Sequence, residues 1–347
     1  MEHTAKPFEQ TAEDTHLGAQ GAHALAGRAV VSVAHDADEQ ARNLVGWRQT
    51  YDQLAAGSFV GTLTEISLDT MKIFCETTSH TLRQACEVRG DAYWFGIPAA
   101  RDQQARIDTQ PFGAQTFAVR PGNVEFELLT PAQFSIYGVV VRAEVLRHYA
   151  ETVERMPLDA WQPDMPIVQA GAGRLAYLCG LLAQRLNDAD DAADGVGRRA
   201  PAPLTDFERN DLQAELLAAL FDACVADGAE TAEPGVDQAS RRRWIVAQAR
   251  DYVLVHRSRP VGVPELCEQL HVSRRTLQYC FQDVLGMAPA TYLRALRLNG
   301  ARRDLCGRAA GSVQDVAAAW GFGHLSQFAA DYRRMFGMRP SEALRAM

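Results

Sequence analysis

The sequence predicts an α+β protein in two parts. A β-rich N-terminal domain with amphipathic helices precedes an all-α C-terminal domain of two helix-turn-helix units joined by a linker helix. Three observations predict this. Between Phe59 and Val141, short runs rich in Val, Ile, Thr and aromatics recur at roughly 8–12-residue spacing. From Gly171 the apolar period lengthens to that of a helix. The last hundred or so residues contain an internal repeat, the strongest single signal in the chain.

A chain of 347 residues is more than one core usually supports, and 47% hydrophobic residues suffice for ordinary globular cores. No run approaches the eighteen apolar residues of a membrane span. Residues 1–40 are mostly small, polar or acidic and have no apolar signal-peptide region, so they are expected to form a disordered tail of a cytoplasmic protein.

Seven expected strands follow: Phe59–Ile66, Met71–Thr77, Leu82–Val88, Tyr93–Ile97, Gln115–Val119, Val124–Leu129 and Phe134–Val141. Turn residues such as Gly90-Asp91 and Pro121-Gly122-Asn123 separate many of them, as in an antiparallel sandwich or barrel, and such a barrel often encloses a small-molecule cavity. Leu175, Leu178, Leu182 and Leu186 then mark one helix face. Asn187 to Pro203 reads as a flexible connection, and Thr205-x-x-Glu208 as a capping box opening a second helix with Leu212, Leu216, Leu220 and Cys224 on one face. These helices either pack on the barrel or pair with a second subunit. Ala229 to Ala239 reads as another linker.

Chemistry-bearing clusters are sparse. The cysteines at 75, 86, 179, 224, 267, 280 and 306 are scattered without C-x-x-C spacing, which argues against zinc or a disulfide framework. His80 and His148 are isolated, so no metal site is expected. Charge is unevenly distributed. From Ser240 onward 17 Arg face 8 Asp and Glu, a balance of +9, whereas the preceding residues carry −17. A basic end suits a polyanion, and an acidic body suits a separate task. The only lysines are Lys6 and Lys72. A general Arg bias and use of Arg's bidentate fork both account for that.

The repeat runs as follows. Val263 to Ser273 is a short helix and tight turn, and Arg274 to Leu285 a second helix, stopped by Gly286 and followed by Pro289. Ser312 to Phe322 and Gly323 to Phe336 repeat the pattern, stopped by Gly337 and followed by Pro340. Cys267 and Ala317 supply the small residue needed where the helices cross. His271 and Gly321 stand where the turn demands a left-handed backbone. With Leu266, Leu270, Val272, Leu277 and Phe281 turned inward, Arg274, Arg275, Gln278, Tyr279 and Gln282 face outward, and Arg and Gln match guanine and adenine edges. Pro289 to Leu305 forms the linker helix, which at ~1.5 Å per residue sets the two reading helices about one DNA turn apart.

This arrangement, from about Trp244 to Leu344, resembles the AraC/XylS family of transcription regulators, whose signature is similar to Gly321-Phe-Gly-His-Leu-Ser-Gln-Phe328 and Phe336-Gly-Met-Arg-Pro340. The resemblance implies base reading by Arg275, Gln278, Tyr279, His324, Ser326 and Gln327, and phosphate contacts by Arg274, Arg333 and Arg334. Ala329, Ala330 and Asp331 depart from the family's basic or polar residues, which shifts the second helix toward backbone anchoring. Trp47 to Leu54, Tyr93 to Ala100 and Arg120 to Leu128 resemble family members that regulate ethanolamine-utilisation operons. That implies an activator with ethanolamine and adenosylcobalamin as effectors. It also implies double-stranded operator DNA and RNA polymerase as partners and no cofactor for DNA binding. A homodimer is the alternative that the amphipathic helix pair offers, and no membrane partner is expected from the apolar runs.

The expected domains are therefore a tail at 1–40, an effector-sensing and dimerisation domain with a cupin-like barrel at 41–227, a linker at 228–240 and the DNA-binding domain at 241–347. Effector candidates are Tyr93 and Trp94, as core or cavity wall, and Glu125 and Glu127, which share a strand face. Those carboxylates either meet an amine or are solvated. Two alternatives remain: an AraC-type regulator of another small molecule, and an enzyme of Cys-dependent alkyl-DNA repair fused to a reader. The latter needs a thiolate with a basic partner, and Cys75 and Cys86 lie near Lys72, His80, Arg83 and Arg89 in sequence. No recognisable active-site motif surrounds them, so no catalytic residue is expected.

Overall fold

The computed structural model describes residues 26–100, 102–154, 167–193, 203–224, 236–307 and 311–345. Twelve strands form among them: β1 (Ala29–Ala34), β2 (Trp47–Gln53), β3 (Gly61–Ser67), β4 (Met71–Thr78), β5 (Leu82–Val88), β6 (Ala92–Pro98), β7 (Gln104–Ile107), β8 (Gln110–Gly113), β9 (Thr116–Pro121), β10 (Phe126–Thr130), β11 (Phe134–Arg142) and β12 (Ile167–Gln169). They pair antiparallel into a seven-stranded sheet, β1-β3-β4-β11-β6-β9-β12, and a five-stranded sheet, β2-β5-β10-β7-β8. The two sheets face each other without closing, which corrects the expected barrel: each keeps its own edge strands, so the architecture is a sandwich.

Alternation along each strand sorts the side chains. Leu63, Phe74, Trp94, Cys86, Phe126 and Leu128 meet between the sheets. Ile73, Tyr93, Phe95, Phe117 and Val139 point the other way, against α2 (Ala143–Thr152), α3 (Ala172–Ala193) and α4 (Asp206–Cys224). The helices expected around Leu175 and Leu212 thus pack on the seven-stranded sheet. The capping box at α4 forms as read: Thr205 Oγ1 accepts from Glu208 N at 3.3 Å, and Thr205 N donates to Glu208 Oε2 at 2.8 Å.

Three expected boundaries move. The tail drawn to residue 40 contains β1 and most of α1 (Ala37–Asn43), which Asp36 caps through Glu39 N at 2.6 Å. Residues 1–25 lie outside the described ones. The connection drawn from Asn187 begins inside α3, which runs to Ala193. The linker drawn to 240 is overtaken by α5 (Val236–Val255), and its part at 228–235 lies outside the described residues.

The C-terminal part consists of α5, α6 (Val263–Gln269), α7 (Arg274–Leu285), α8 (Pro289–Leu305), α9 (Val313–Ala319), α10 (Leu325–Phe336) and α11 (Pro340–Arg345), around a core that includes Leu266, Phe281, Tyr292, Trp320, Phe328 and Tyr332. This lobe docks on the outer face of the five-stranded sheet through polar groups. Asn299 of α8 completes the edge of β2, accepting from Gln53 N at 3.0 Å and donating to Gln53 O at 2.9 Å. Arg302 and Arg303 pair with Asp36 (3.2 Å) and Asp38 (3.0 Å), and Arg303 also pairs with Asp52. The acidic body and the basic end are therefore held to each other by part of their opposite charge.

Candidate nucleic-acid interface

The two units are built alike. Their turns and helix stops match, whereas the caps differ: in the first unit Ser273 caps the second helix, α7, accepting from Thr276 N at 3.0 Å, and in the other Ser312 caps the first helix, α9, accepting from Asp315 N at 3.1 Å. Turn residues His271 (φ 52) and Gly321 (φ 72) both adopt the left-handed backbone expected of them. At 321 a side chain is also excluded by space, since a Cβ would come within 2.8 Å of the Arg259 backbone. α7 and α10 each have 12 residues and end in a left-handed glycine, Gly286 (φ 70) and Gly337 (φ 74). Pro289 and Pro340 then open the following helices. The turn between α9 and α10 is one residue longer than that between α6 and α7, as the sequence spacing requires.

On α7, Leu277, Cys280, Phe281, Val284 and Leu285 are buried, and Arg274, Arg275, Gln278, Tyr279 and Gln282 form the exposed face. Tyr279 does not swing freely. Arg242 of α5 lies over its ring at 5.3 Å and donates to its hydroxyl at 3.3 Å, and it is itself tied to Asp283 at 2.9 Å. Sequence reasoning missed Arg242, because only the fold brings α5 beside α7.

On α10, Phe328, Tyr332, Met335 and Phe336 turn inward, while His324, Ser326, Gln327, Arg333 and Arg334 are exposed. Asp331 is buried at 3% exposure and accepts from Gln327 Nε2 at 3.1 Å, from Arg334, and from Arg294 of the linker helix. The residues that sequence reasoning assigned to DNA contact are thus exposed on two matched helices, and neither Arg275 nor Gln327 is packed inside the lobe.

Of the effector candidates, Glu125 and Glu127 line one open cavity with Arg48 and Arg83, and Tyr93 and Trp94 do not join them there. Tyr93 and Trp94 point to opposite faces of β6. Trp94 stacks on Phe126 at 5.1 Å and meets Trp47 edge-on at 5.6 Å. Glu125 pairs with Arg48 at 3.0 Å, and Glu127 pairs with Arg83. A group that sequence reasoning missed lies between the sheets. Glu76 accepts from Gln40 Nε2 at 2.9 Å and from the Tyr51 hydroxyl at 3.1 Å. Burial pushes its carboxyl up to about 7, although both hydrogen bonds act the other way. The available signal was the inward series Phe74, Glu76, Thr78 on β4. Cys86 is also buried, and burial raises its thiol well above the usual range, the opposite of an activated nucleophile. Among the described residues no cluster of His, Cys, Asp and Glu has metal-binding geometry.

Two capped helix-turn-helix units with outward basic and amide side chains, joined by one helix, define a double helix-turn-helix DNA-binding domain. Known proteins agree. A family profile described as a helix-turn-helix domain matches residues 266–346. The chain is 39% identical over 105 residues to a probable thc operon regulatory protein of Rhodococcus erythropolis, covering 30% of this chain and 32% of that one. It is 32% identical over 128 residues to the HTH-type transcriptional activator RhaS of Yersinia pestis, covering 37% and 43%. A solved probable AraC family transcriptional regulator from Rhodopseudomonas palustris CGA009 is 33% identical over 29% of this chain and 95% of that one, with a TM-score of 0.27. The chain thus spans less than half the length of these two curated relatives, and what the profile matches is a helix-turn-helix domain in its C-terminal part. These relatives are described as regulators, not as enzymes. No helix among the described residues is long and apolar enough to cross a membrane.

Proposed function

We propose that the chain is a sequence-specific, effector-responsive transcription regulator acting in the cytoplasm. The observation that carries this is the pair of matched helices, α7 and α10, each presenting an exposed polar face on one basic lobe. Arg275, Gln278 and Tyr279 read one major groove and His324, Ser326 and Gln327 the next, while Arg274, Arg333 and Arg334 hold phosphates. Each good bidentate base contact contributes about 1–3 kcal/mol of discrimination.

Selection of duplexes from a random pool by the full chain tests this. The expected result is two sequence blocks about one helical turn apart. On the enriched duplex, Arg275→Ala is expected to lower affinity and relax preference at one base pair. Arg333→Ala lowers affinity for all duplexes alike and flattens the salt dependence. No enrichment, or identical behaviour of the two variants, contradicts the reading.

The finer proposal is an activator of an ethanolamine-utilisation operon, with ethanolamine and adenosylcobalamin as effectors, a homodimeric state and RNA polymerase as partner. Its support is the resemblance of residues 47–54, 93–100 and 120–128. Thermal-shift titration with each compound separately and with both together tests it. No shift under any of the three conditions returns the chain to an AraC-type regulator of a different small molecule.

A further inference from the structure

We propose that Asp331 sets the base specificity of the second reading helix by fixing Gln327 as an adenine reader. This rests on the DNA-reading function above. Its starting point is a buried carboxylate at the root of an otherwise plain helix face. Asp331 Oδ1 accepts from Gln327 Nε2 at 3.1 Å and from Arg334, and Oδ2 accepts from Arg294. Ala330, beside it on the exposed face, offers only a methyl group.

The orientation of a surface glutamine amide is ordinarily free to flip, because its two ends have the same shape. Here it is not free. A carboxylate accepts and does not donate, so the end of Gln327 turned toward Asp331 is the NH2 end. One N–H is used on the carboxylate. The second N–H and Oε1 remain for a ligand, side by side. That donor–acceptor pair matches the N7 acceptor and N6 amino donor of adenine in the major groove. Guanine offers two acceptors there, N7 and O6, and Oε1 would face one of them unpaired. The two guanidiniums serve the same end. They offset the carboxylate, leaving the cluster with one excess positive charge next to a polyanion. Arg294 also ties the clamp to α8, so the position of Gln327 is referenced to the helix that spaces the two units.

Asp331→Asn removes the acceptor-only character. An asparagine can donate to Oε1 of Gln327 as readily as it can accept from Nε2, so both amide orientations become available. It also removes a buried negative charge from beneath the face turned to phosphates. The expected signature is therefore a loss of discrimination together with a gain in unspecific binding, which a merely destabilised helix would not give.

The experiment uses the full chain on the duplex enriched from the random pool, with the α10 block identified as the one whose preferences Arg275→Ala leaves intact. The wild type is expected to prefer adenine over guanine at one position of that block by roughly 5- to 150-fold, the size of one bidentate contact. Asp331→Asn brings this preference toward parity, leaves the α7 block intact and strengthens binding to an unrelated duplex. Retention of the full preference in Asp331→Asn overturns the proposal, as does guanine at the position that Gln327→Ala affects. Because Gln327 is exposed, its alanine variant keeps the test open if Asp331→Asn fails to fold: an unchanged adenine preference in Gln327→Ala also overturns it. Failure of the wild type to enrich any sequence is a different failure, that of the DNA-reading function itself.

Discussion

Glu76 shows how a single side chain links the β sandwich to pH. Its carboxyl is buried between the sheets with Gln40 and Tyr51 and is held neutral up to about pH 7, whereas in an unfolded chain it ionises near its ordinary 4.5. Between those values the folded state binds more protons than the unfolded state, so stability falls as pH rises from about 4.5 to about 7 and is level above that. The full cost is on the order of a few kcal/mol. Glu76→Gln keeps an acceptor for Tyr51 and carries no charge. It is expected to abolish this slope and to raise the melting temperature at pH 8 more than at pH 5. Denaturation curves across that range check it, and an equal shift at both values excludes the titration. The strand around Glu76 was legible in the sequence, but its acid was not marked as internal. Strand alternation places a residue on one of two faces without saying which face is covered. The same ambiguity separated Tyr93 from Trp94, which read as one candidate wall and lie on opposite sides of β6.

At the scale of elements, the C-terminal lobe was the most readable part, because its constraints are local. Left-handed turns at His271, Gly286, Gly321 and Gly337 need particular residues, and Pro289 and Pro340 mark helix starts. The repeat then checked each reading against a second copy. By contrast, β1, β2, β7, β8 and β12 were not drawn, being short or edge strands whose pairing is decided by distant partners. One contact within the lobe was also hidden: Gly300 of the linker helix lies under the Trp320 ring. A Cβ there would approach the ring to 2.1 Å, and Trp320 is held in place by donating from Nε1 to Asp304 at 2.7 Å and by Arg257 stacked at 5.0 Å. Gly300→Ala gains helix propensity of about 1 kcal/mol but forces the second unit off the linker helix, an overpacking cost of about 1–3 kcal/mol. The expected result is a small net loss of stability with a disproportionate loss of binding to the α10 block. Comparing melting curves with binding to each block separately checks this. A variant that melts lower but keeps both blocks in their original ratio shows that the contact does not set spacing.

For the whole molecule, the charge asymmetry legible in the sequence is partly spent on joining the two halves. The sandwich touches the first unit where Arg106 donates to Asp283 O, the linker helix through Asn299, Arg302 and Arg303, and the second unit where Gly57 N and Gln53 Nε2 donate to Met335 O at 3.0 and 2.9 Å. One domain therefore grips both reading units, so a displacement of β2 has a direct route to their relative placement. Asp52 is central to this grip: it is 3% exposed and accepts from both Arg83 and Arg303. Removing its charge costs both guanidiniums one partner at a buried interface, while Arg83 keeps Glu127 and Arg303 keeps Asp38, so the loss stays below the cost of about 3–5 kcal/mol typical of a fully stranded buried charge. Asp52→Asn is expected to uncouple the halves, so that a single melting transition becomes two and the amides of α8 exchange faster, while the strands of the seven-stranded sheet keep their protection. Calorimetry and hydrogen exchange on the full chain measure both. A single transition with unaltered exchange in α8 means that Leu54 and the apolar contacts around it hold the lobe in place, and that the ion pairs at β2 select its orientation without supplying its attachment.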